Sequence, residues 1–342
     1  MNKITIHDLA RELGIDSSTV SRALSGSSRV AQKTKERITA KAKELGYQKN
    51  DLASNLRKNK TNVIGVVVPR ISRHFFSSAI SGIEERAYKE GYSVVICQSL
   101  ETLEKEEKII GNLLANRVDG VLISVSMETE NYAHLQSLKD RGIPYVVFDR
   151  HCEIEENSNV LIDDFKGGFD ATEHLIKNGC QNIVHFSGPQ NLMIYKNRLL
   201  GYKAALQEYK IPFKEEYVLG SSLMEKDGIE NAKKLAAFDT TIDGVFSSND
   251  VAAIGAMKYF KKKGIRVPED IALVGFSNES ISAVIDPALS TVNQSGFEIG
   301  STATELLLTQ IKRGEVLIQH ETIVLAPELI ARKSSDRLSK RS

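Results

Sequence analysis

The sequence predicts an α/β protein: an N-terminal helix-turn-helix head, then two doubly wound parallel-sheet lobes. Three observations carry that prediction. The first sixty residues hold short helical patterns interrupted by single glycines. From Val63 onward, apolar runs of strand length alternate with stretches of helical periodicity, as in a parallel sheet covered on both faces. The chain has 342 residues, 41% of them hydrophobic, more than one ordinary core holds.

The head comes first. Ile6, Leu9, Ala10 and Leu13 share one helical stripe, and Gly14 ends it. Asp16 is placed to cap a second helix, Ser17 to Leu24. Its only large apolar residues, Val20 and Leu24, lie one turn apart, so its outer face is polar. Ser25 to Ser28 reads as a turn. A third helix, Gln32 to Leu45, turns Thr34, Ile38, Ala42 and Leu45 inward, and Gly46 stops it. Helix, glycine turn and short polar-faced helix form the helix-turn-helix pattern. Residues 1–60 carry thirteen Lys/Arg against six Asp/Glu, a balance of +7; the whole chain is +1, which leaves −6 for the rest. A basic head on an acidic body is expected where only the head meets phosphate. Ser17, Ser18 and Arg22 are the candidates for reading base edges. Thr5, Thr19, Ser21 and Tyr47 are the candidates for phosphates, which fix register without reading sequence.

Asn50 to Arg57 reads as one more short helix, with Asn50 as its cap and Leu52, Ala53 and Leu56 on one face. Two turns are marginal in water, so this segment needs a partner to order it. Lys58 to Asn62 is a polar linker.

In the body, Val63 to Pro69 reads as a strand buried on both faces, followed by a helix over 76–90 and a strand over 92–97. The alternation continues through helix 103–116, strand 120–124, helix 130–141 and strand 145–148. Further strands are expected near 160–162, 182–187, 243–247 and 271–276, with helices near 165–178, 195–209, 226–237 and 250–263 between them. The irregular stretches 149–159 and 277–292 are candidate crossings between lobes, and a late helix, 294–313, returns to the first lobe. The expected division is therefore a head at 1–48, a hinge helix and linker at 49–61, and a first lobe at 62–160 plus 292–322. A second lobe at 161–291 plus 323–334 and a disordered tail at 335–342 complete it.

Composition excludes several classes. Cys97, Cys152 and Cys180 are odd in number, far apart and lack a CxxC pair, so neither a disulfide framework nor a metal site is expected. No apolar stretch approaches the roughly 18 residues of a membrane span, and the N-terminus lacks a secretory apolar run; a cytoplasmic protein is expected. There is no GxGxxG, Walker loop or HExxH, and Gly275-Phe276-Ser277-Asn278-Glu279 lacks the second glycine of a nucleophile elbow. No enzyme activity and no cofactor are expected.

Ligands of doubly wound sheets sit beyond the carboxyl ends of the strands. That rule gathers Phe75 and Phe76 after the first strand, Asp149 and Arg150 after the 145–148 strand, and Asn249 and Asp250 after the 243–247 strand. An aromatic platform with carboxylate, amide and guanidinium groups suits a sugar. Each has a plainer reading: Phe76 as core, Asp149 as a structural partner of Arg150, Asp250 as a helix cap.

At this point a family resemblance is plain. Thr5-Ile6-x-Asp8-Leu9-Ala10 with Gly14-Ile15-x-x-x-Thr19-Val20-Ser21-Arg22-Ala23-Leu24 resembles the head of the lactose-repressor/galactose-repressor (LacI/GalR) family, and Asn50-x-Leu52-Ala53-x-x-Leu56 its hinge helix. Phe148-Asp149-Arg150, Arg198-x-x-Gly201-Tyr202, Ser248-Asn249-Asp250, Val267-Pro268-x-Asp270 and Pro287-x-Leu289-x-Thr291 resemble its body, in order. The resemblance implies two lobes of periplasmic-binding-protein type. It also implies a homodimeric repressor on a pseudo-palindromic double-stranded DNA operator, and a small effector, a sugar or sugar derivative, between the lobes. Asn50, Ala53 and Leu56 would enter the minor groove, with Leu56 as the wedge between base steps. Effector binding would shift the first lobes and unpair the hinge helices. Arg198 matches the effector-binding arginine; with Phe75, Phe76, Asp149, Arg150, Asn249 and Ser277 it makes the expected effector set.

The departures are informative. Lys49 stands where the family has proline, and Ser277 where many relatives have aspartate. Leu192, Met193 and Ile194 replace the polar contacts of purine-type relatives, which disfavours a purine. Arg73, His74, Arg150 and Arg198 could instead favour an acidic sugar or sugar phosphate. Lys333 to Ser342 has no leucine heptads, so a dimer rather than a tetramer is expected. The competing readings are a cytosolic solute-binding protein without DNA function and a sugar-active enzyme.

Overall fold

The computed structural model describes residues 4–47, 60–152, 157–313 and 320–337. The chain divides into two units, 1–61 and 62–342.

In the first unit, α1 (Ile6–Leu13), α2 (Ser17–Leu24) and α3 (Gln32–Glu44) form a three-helix bundle. Leu9, Val20 and Ile38, each 0% exposed, meet at its centre. Burying each such side chain contributes about 1.5–3 kcal/mol, so a bundle this small depends on very few residues. Gly14 ends α1 at φ 64, the left-handed conformation glycine adopts without penalty.

The second unit holds two six-stranded sheets. The first runs β2 (Ser93–Gln98), β1 (Val63–Val68), β3 (Gly120–Ile123), β4 (Tyr145–Phe148), β5 (Ser158–Ile162), β11 (Thr322–Leu325), all parallel. Within β1, Ile64, Val66 and Val68 enter the core beneath α4 (His74–Lys89) and α11 (Gly296–Arg313). Val67 enters the opposite core beneath α5 (Leu103–Ala115) and α6 (Ala133–Asp140). A strand with both faces buried needs an unbroken apolar run, which Val63 to Val68 supplies.

The second sheet runs β7 (Val218–Gly220), β6 (Ile183–Ser187), β8 (Gly244–Ser247), β9 (Ala272–Phe276), β10 (Ser290–Asn293), β12 (Glu328–Ile330), with β12 antiparallel at the edge. Helices α7 (Asp164–Lys177) and α8 (Met193–Glu208) cover one face, α9 (Glu225–Lys234) and α10 (Asp250–Lys263) the other.

Four expectations change. The 149–159 stretch joins β4 to its sheet neighbour β5, so the chain leaves the first lobe at 163 rather than within that loop. The 277–292 stretch stays in the second lobe and ends in β10, a strand too short and polar (Ser-Thr-Val-Asn) to stand out in sequence; the return follows Asn293. Residues 323–325 belong to the first lobe, because β11 pairs with β5, and the last crossing is at 326–327. The tail is ordered at least to Arg337: Ser334 and Ser335 are buried, and Ser335 Oγ lies 2.6 Å from Ser290 Oγ and 2.7 Å from His174 Nε2. A polar tail docks here because buried hydroxyls await it, which composition does not reveal. Residues 338–342 lie outside the described residues. No described helix is long and apolar enough to cross a membrane.

Candidate functional site

The head offers one polar helix face. Asp16 caps α2 by accepting from Ser18 N at 2.7 Å, and Val20 and Ala23 anchor its inner side. Ser18 and Arg22, four residues apart and therefore on one face, are exposed; Ser17, Thr19 and Ser21 are half-buried. Thr5 caps α1. Its hydroxyl donates to Asp8 Oδ2 at 2.6 Å and accepts from Asp8 N at 3.2 Å, closing a capping box. Tyr47 is half-buried against the head core. Lys49, Asn50, Ala53 and Leu56 lie outside the described residues.

The two lobes of the second unit enclose a cleft of about 390 Å³, within the range of small-molecule sites. All seven expected effector residues line it: Phe75, Phe76, Asp149, Arg150, Arg198, Asn249 and Ser277. Phe75 and Phe76 meet edge to face at 5.1 Å and are also core residues of the first lobe, so the two readings of Phe76 coexist.

Arg198 is built in from beneath. It is 2% exposed, and its Nε and Nη2 both reach Asp164 Oδ1 at 2.7 Å. Its Nη1 donates to Ser248 O at 2.7 Å, and its guanidinium lies 3.7 Å from the centroid of the Phe276 ring. The pair exists because α7 and α8 cross at glycines: a Cβ on Gly168 would strike the Arg198 backbone, and one on Gly201 the Phe165 and Phe169 backbones. Burial pushes the Asp164 carboxyl up to about 6, against the pull of Arg198.

Arg150 pairs with Asp149 only loosely, Nε to Oδ2 at 3.9 Å, and its main partner is Glu101. Its Nη1 and Nη2 grip Glu101 at 2.7 and 2.9 Å, and Nη1 also donates to Val125 O at 2.8 Å. The Glu101 fork wins because it satisfies two N–H groups in one plane, whereas Asp149 Oδ2 stays 3.9 Å from Arg150 Nε. Burial opposes the Glu101 charge, but the Arg150 bonds and charge, with Met127 N, hold its carboxyl below the usual range. Asp149, at φ 67, accepts one long bond from Ser124 Oγ at 3.2 Å. Burial raises its pKa, opposed by the charges of Arg150 and Arg198.

Asn249 lines the cleft with its amide engaged at both ends. Its Oδ1 accepts from Ala252 N at 2.8 Å and caps α10, and its Nδ2 donates to Leu223 O at 3.0 Å. The cap is thus Asn249 and not Asp250. Asp250, 0% exposed, instead accepts from Thr291 Oγ1, Ser282 Oγ and Glu279 N at 2.6–2.8 Å, tying the loop beyond Ser277 to β10. Of the residues thought to disfavour a purine, only Ile194 reaches the cleft, and His74 does not line it.

Sequence reasoning missed Glu101, Asp164 and Tyr195. Glu101 follows β2, so the strand-end rule would have found it had it been applied there. Asp164 begins a helix, and only the glycine crossing brings it to Arg198. Two contacts join the lobes beside the cleft, Asn191 Nδ2 to Met127 O at 3.0 Å and Arg73 Nη2 to Met224 Sδ at 3.2 Å. Among the described residues no cluster could hold a metal ion.

Residues 5–50 match the family model described as bacterial regulatory proteins, lacI family, and residues 172–335 match the periplasmic binding protein-like domain. The HTH-type transcriptional repressor PurR of Vibrio parahaemolyticus is 32% identical over 339 residues, 98% of this chain and 99% of that protein. Among solved structures, the lac repressor dimer bound to operator and the anti-inducer ONPF is 25% identical with a TM-score of 0.86, covering 98% of this chain and 99% of that one. The transcriptional regulator CelR–cellobiose complex is 28% identical with a TM-score of 0.74, covering 97% and 99%.

Proposed function

The chain belongs to the LacI family of bacterial regulatory proteins and is a DNA-binding transcriptional repressor, not an enzyme. From that premise we propose that it acts in the cytoplasm as a homodimer on a pseudo-palindromic operator, and that an uncharged sugar or sugar derivative in the interlobe cleft sets its DNA affinity. Ser17, Ser18 and Arg22 read base edges. Thr5, Thr19, Ser21 and Tyr47 contact phosphates, and Leu56, flanked by Asn50 and Ala53, is the minor-groove wedge. The dimer is supported by large apolar side chains left on the body's surface, Tyr88 at 76% and Val284 at 79% exposed, and by Val95 and Ile96 on the edge strand β2.

The observation that carries the effector reading is the pairing of the cleft's two buried arginines. Arg150 is held by Glu101 and Arg198 by Asp164, so neither offers a free charge to an acidic ligand. That weighs against an acidic sugar. Polar groups over the Phe75–Phe76 platform suit hydroxyls, and the similar CelR structure holds cellobiose.

Two experiments test the reading together. Selection from a random DNA pool should return an inverted repeat, with a steep salt dependence of binding. Calorimetric titration with neutral sugars, acidic sugars and purine bases should give binding by a neutral sugar that Arg198→Ala abolishes. Binding of a purine base and no sugar would refute the carbohydrate assignment.

A further inference from the structure

We propose that Glu101 is a specificity-determining residue that closes the cleft to anions and so restricts the effector to an uncharged molecule. This rests on the cleft being the effector site. Four arginines line the cleft, Arg70, Arg73, Arg150 and Arg198, and four carboxylates face them, Glu101, Glu128, Asp149 and Glu279. Asp164 stands behind Arg198, so the lining carries no surplus of positive charge.

Arg150 is the group that would otherwise take an anion. It is 6% exposed and opens on the cleft, and a buried guanidinium fork matches phosphate and carboxylate geometry. Glu101 fills that fork from within the protein, one carboxylate on both terminal nitrogens. Nε, buried and without a hydrogen-bond partner, lies 3.9 Å from Asp149 Oδ2. A neutral hydroxyl fits a donor and an acceptor so placed; an anion there meets the Glu101 and Asp149 carboxylates.

The backbone is committed to this arrangement. Leu100 and Glu101 are consecutive non-glycine residues at φ 56 and φ 67, a conformation that costs on the order of 1–3 kcal/mol each unless its surroundings hold it. At Leu100 the backbone is held by its N–H to Pro69 O at 3.0 Å, and Glu101 is held through its side chain by the Arg150 fork and by Met127 N, which donates to Oε2 at 3.1 Å.

The test uses full-length protein and inorganic phosphate as the probe, read by calorimetry and by thermal shift. Wild type should take no phosphate in the cleft. Glu101→Gln keeps a hydrogen-bonding side chain but removes the charge, and should bind phosphate at least about tenfold more tightly, the worth of one charge-assisted hydrogen bond. Adding Arg150→Met to that variant should erase the gain. Phosphate binding by wild type that matches Glu101→Gln overturns the proposal, as does a gain that survives in the double variant. The wild-type arm decides even if Glu101→Gln does not fold, because phosphate binding that Arg150→Met or Arg198→Ala removes from the otherwise native protein is already incompatible with exclusion. Failure of the effector site itself shows differently: neutral sugars would bind Arg198→Ala as well as they bind wild type.

Discussion

Gly201→Ala should damage the effector cleft from behind. A Cβ at Gly201 would press into the Phe165 carbonyl oxygen and stand 2.6 Å from Phe169 N. Both obstacles are backbone, so no side chain can rotate away, and α7 and α8 must part by about 1 Å to restore van der Waals contact. Arg198 lies one turn before Gly201, and Asp164 one residue before Phe165, so the same retreat stretches their 2.7 Å bonds past useful length. Overpacking costs about 1–3 kcal/mol, and a buried ion pair pulled apart adds to that. A loss of about 3 kcal/mol in a body of this size lowers the melting midpoint by on the order of 6–12 °C.

The control is Gly111→Ala. Gly111 also sits within a helix, α5, but is exposed, and its Cβ would meet nothing within 4 Å. There alanine should stabilise by about 0.5–1 kcal/mol. Calorimetric melts of the three proteins, with effector titration, decide the matter. If Gly201→Ala melts with wild type and binds effector normally, the helix crossing does not position Arg198.

Three further outcomes are expected. Arg22→Ala should weaken specific operator binding by about 1–3 kcal/mol while leaving effector affinity unchanged, as footprinting and calorimetry would show. Ile38→Ala opens a cavity in the small head at a cost of about 2–5 kcal/mol, so DNA binding should vanish while the body's melting transition stays in place. Burial pushes Asp250 up to about 7, and a carboxyl pKa raised on folding gives stability that is full below about 4 and lost as pH rises through about 7. His185, held by burial down to about 3, slopes the opposite way, gaining stability as pH rises to about 6.5, so the informative quantity is a difference between proteins. The melting midpoint of Asp250→Asn relative to wild type should climb from pH 4 to 7 and then level; a flat difference would show that Asp250 does not titrate in this window.

The amino-acid sequence by itself determined the head, the order of strands and helices from Val63 to Phe276 apart from the three-residue edge strand β7, and which strand ends meet at the cleft. These follow from local periodicity, glycine stops and apolar runs, which depend on neighbours in the chain. It also brought Phe75, Asp149, Arg150 and Asn249 together, because parallel strands place their carboxyl ends on one side; Arg198, inside a helix, was placed there only by the family resemblance. The tertiary structure decided the partners. That Arg150 grips Glu101 more closely than its neighbour Asp149, that Asp164 reaches Arg198 through a glycine crossing, and that Asn249 rather than Asp250 caps α10 are outcomes of competition between groups far apart in sequence. The same holds for β10, β11 and the docked Ser334–Ser335 tail. β10 and the tail are short and polar, and β11 is an apolar run whose lobe is assigned only by its pairing with β5; each takes its place because a sheet edge or a set of buried hydroxyls is already there to receive it.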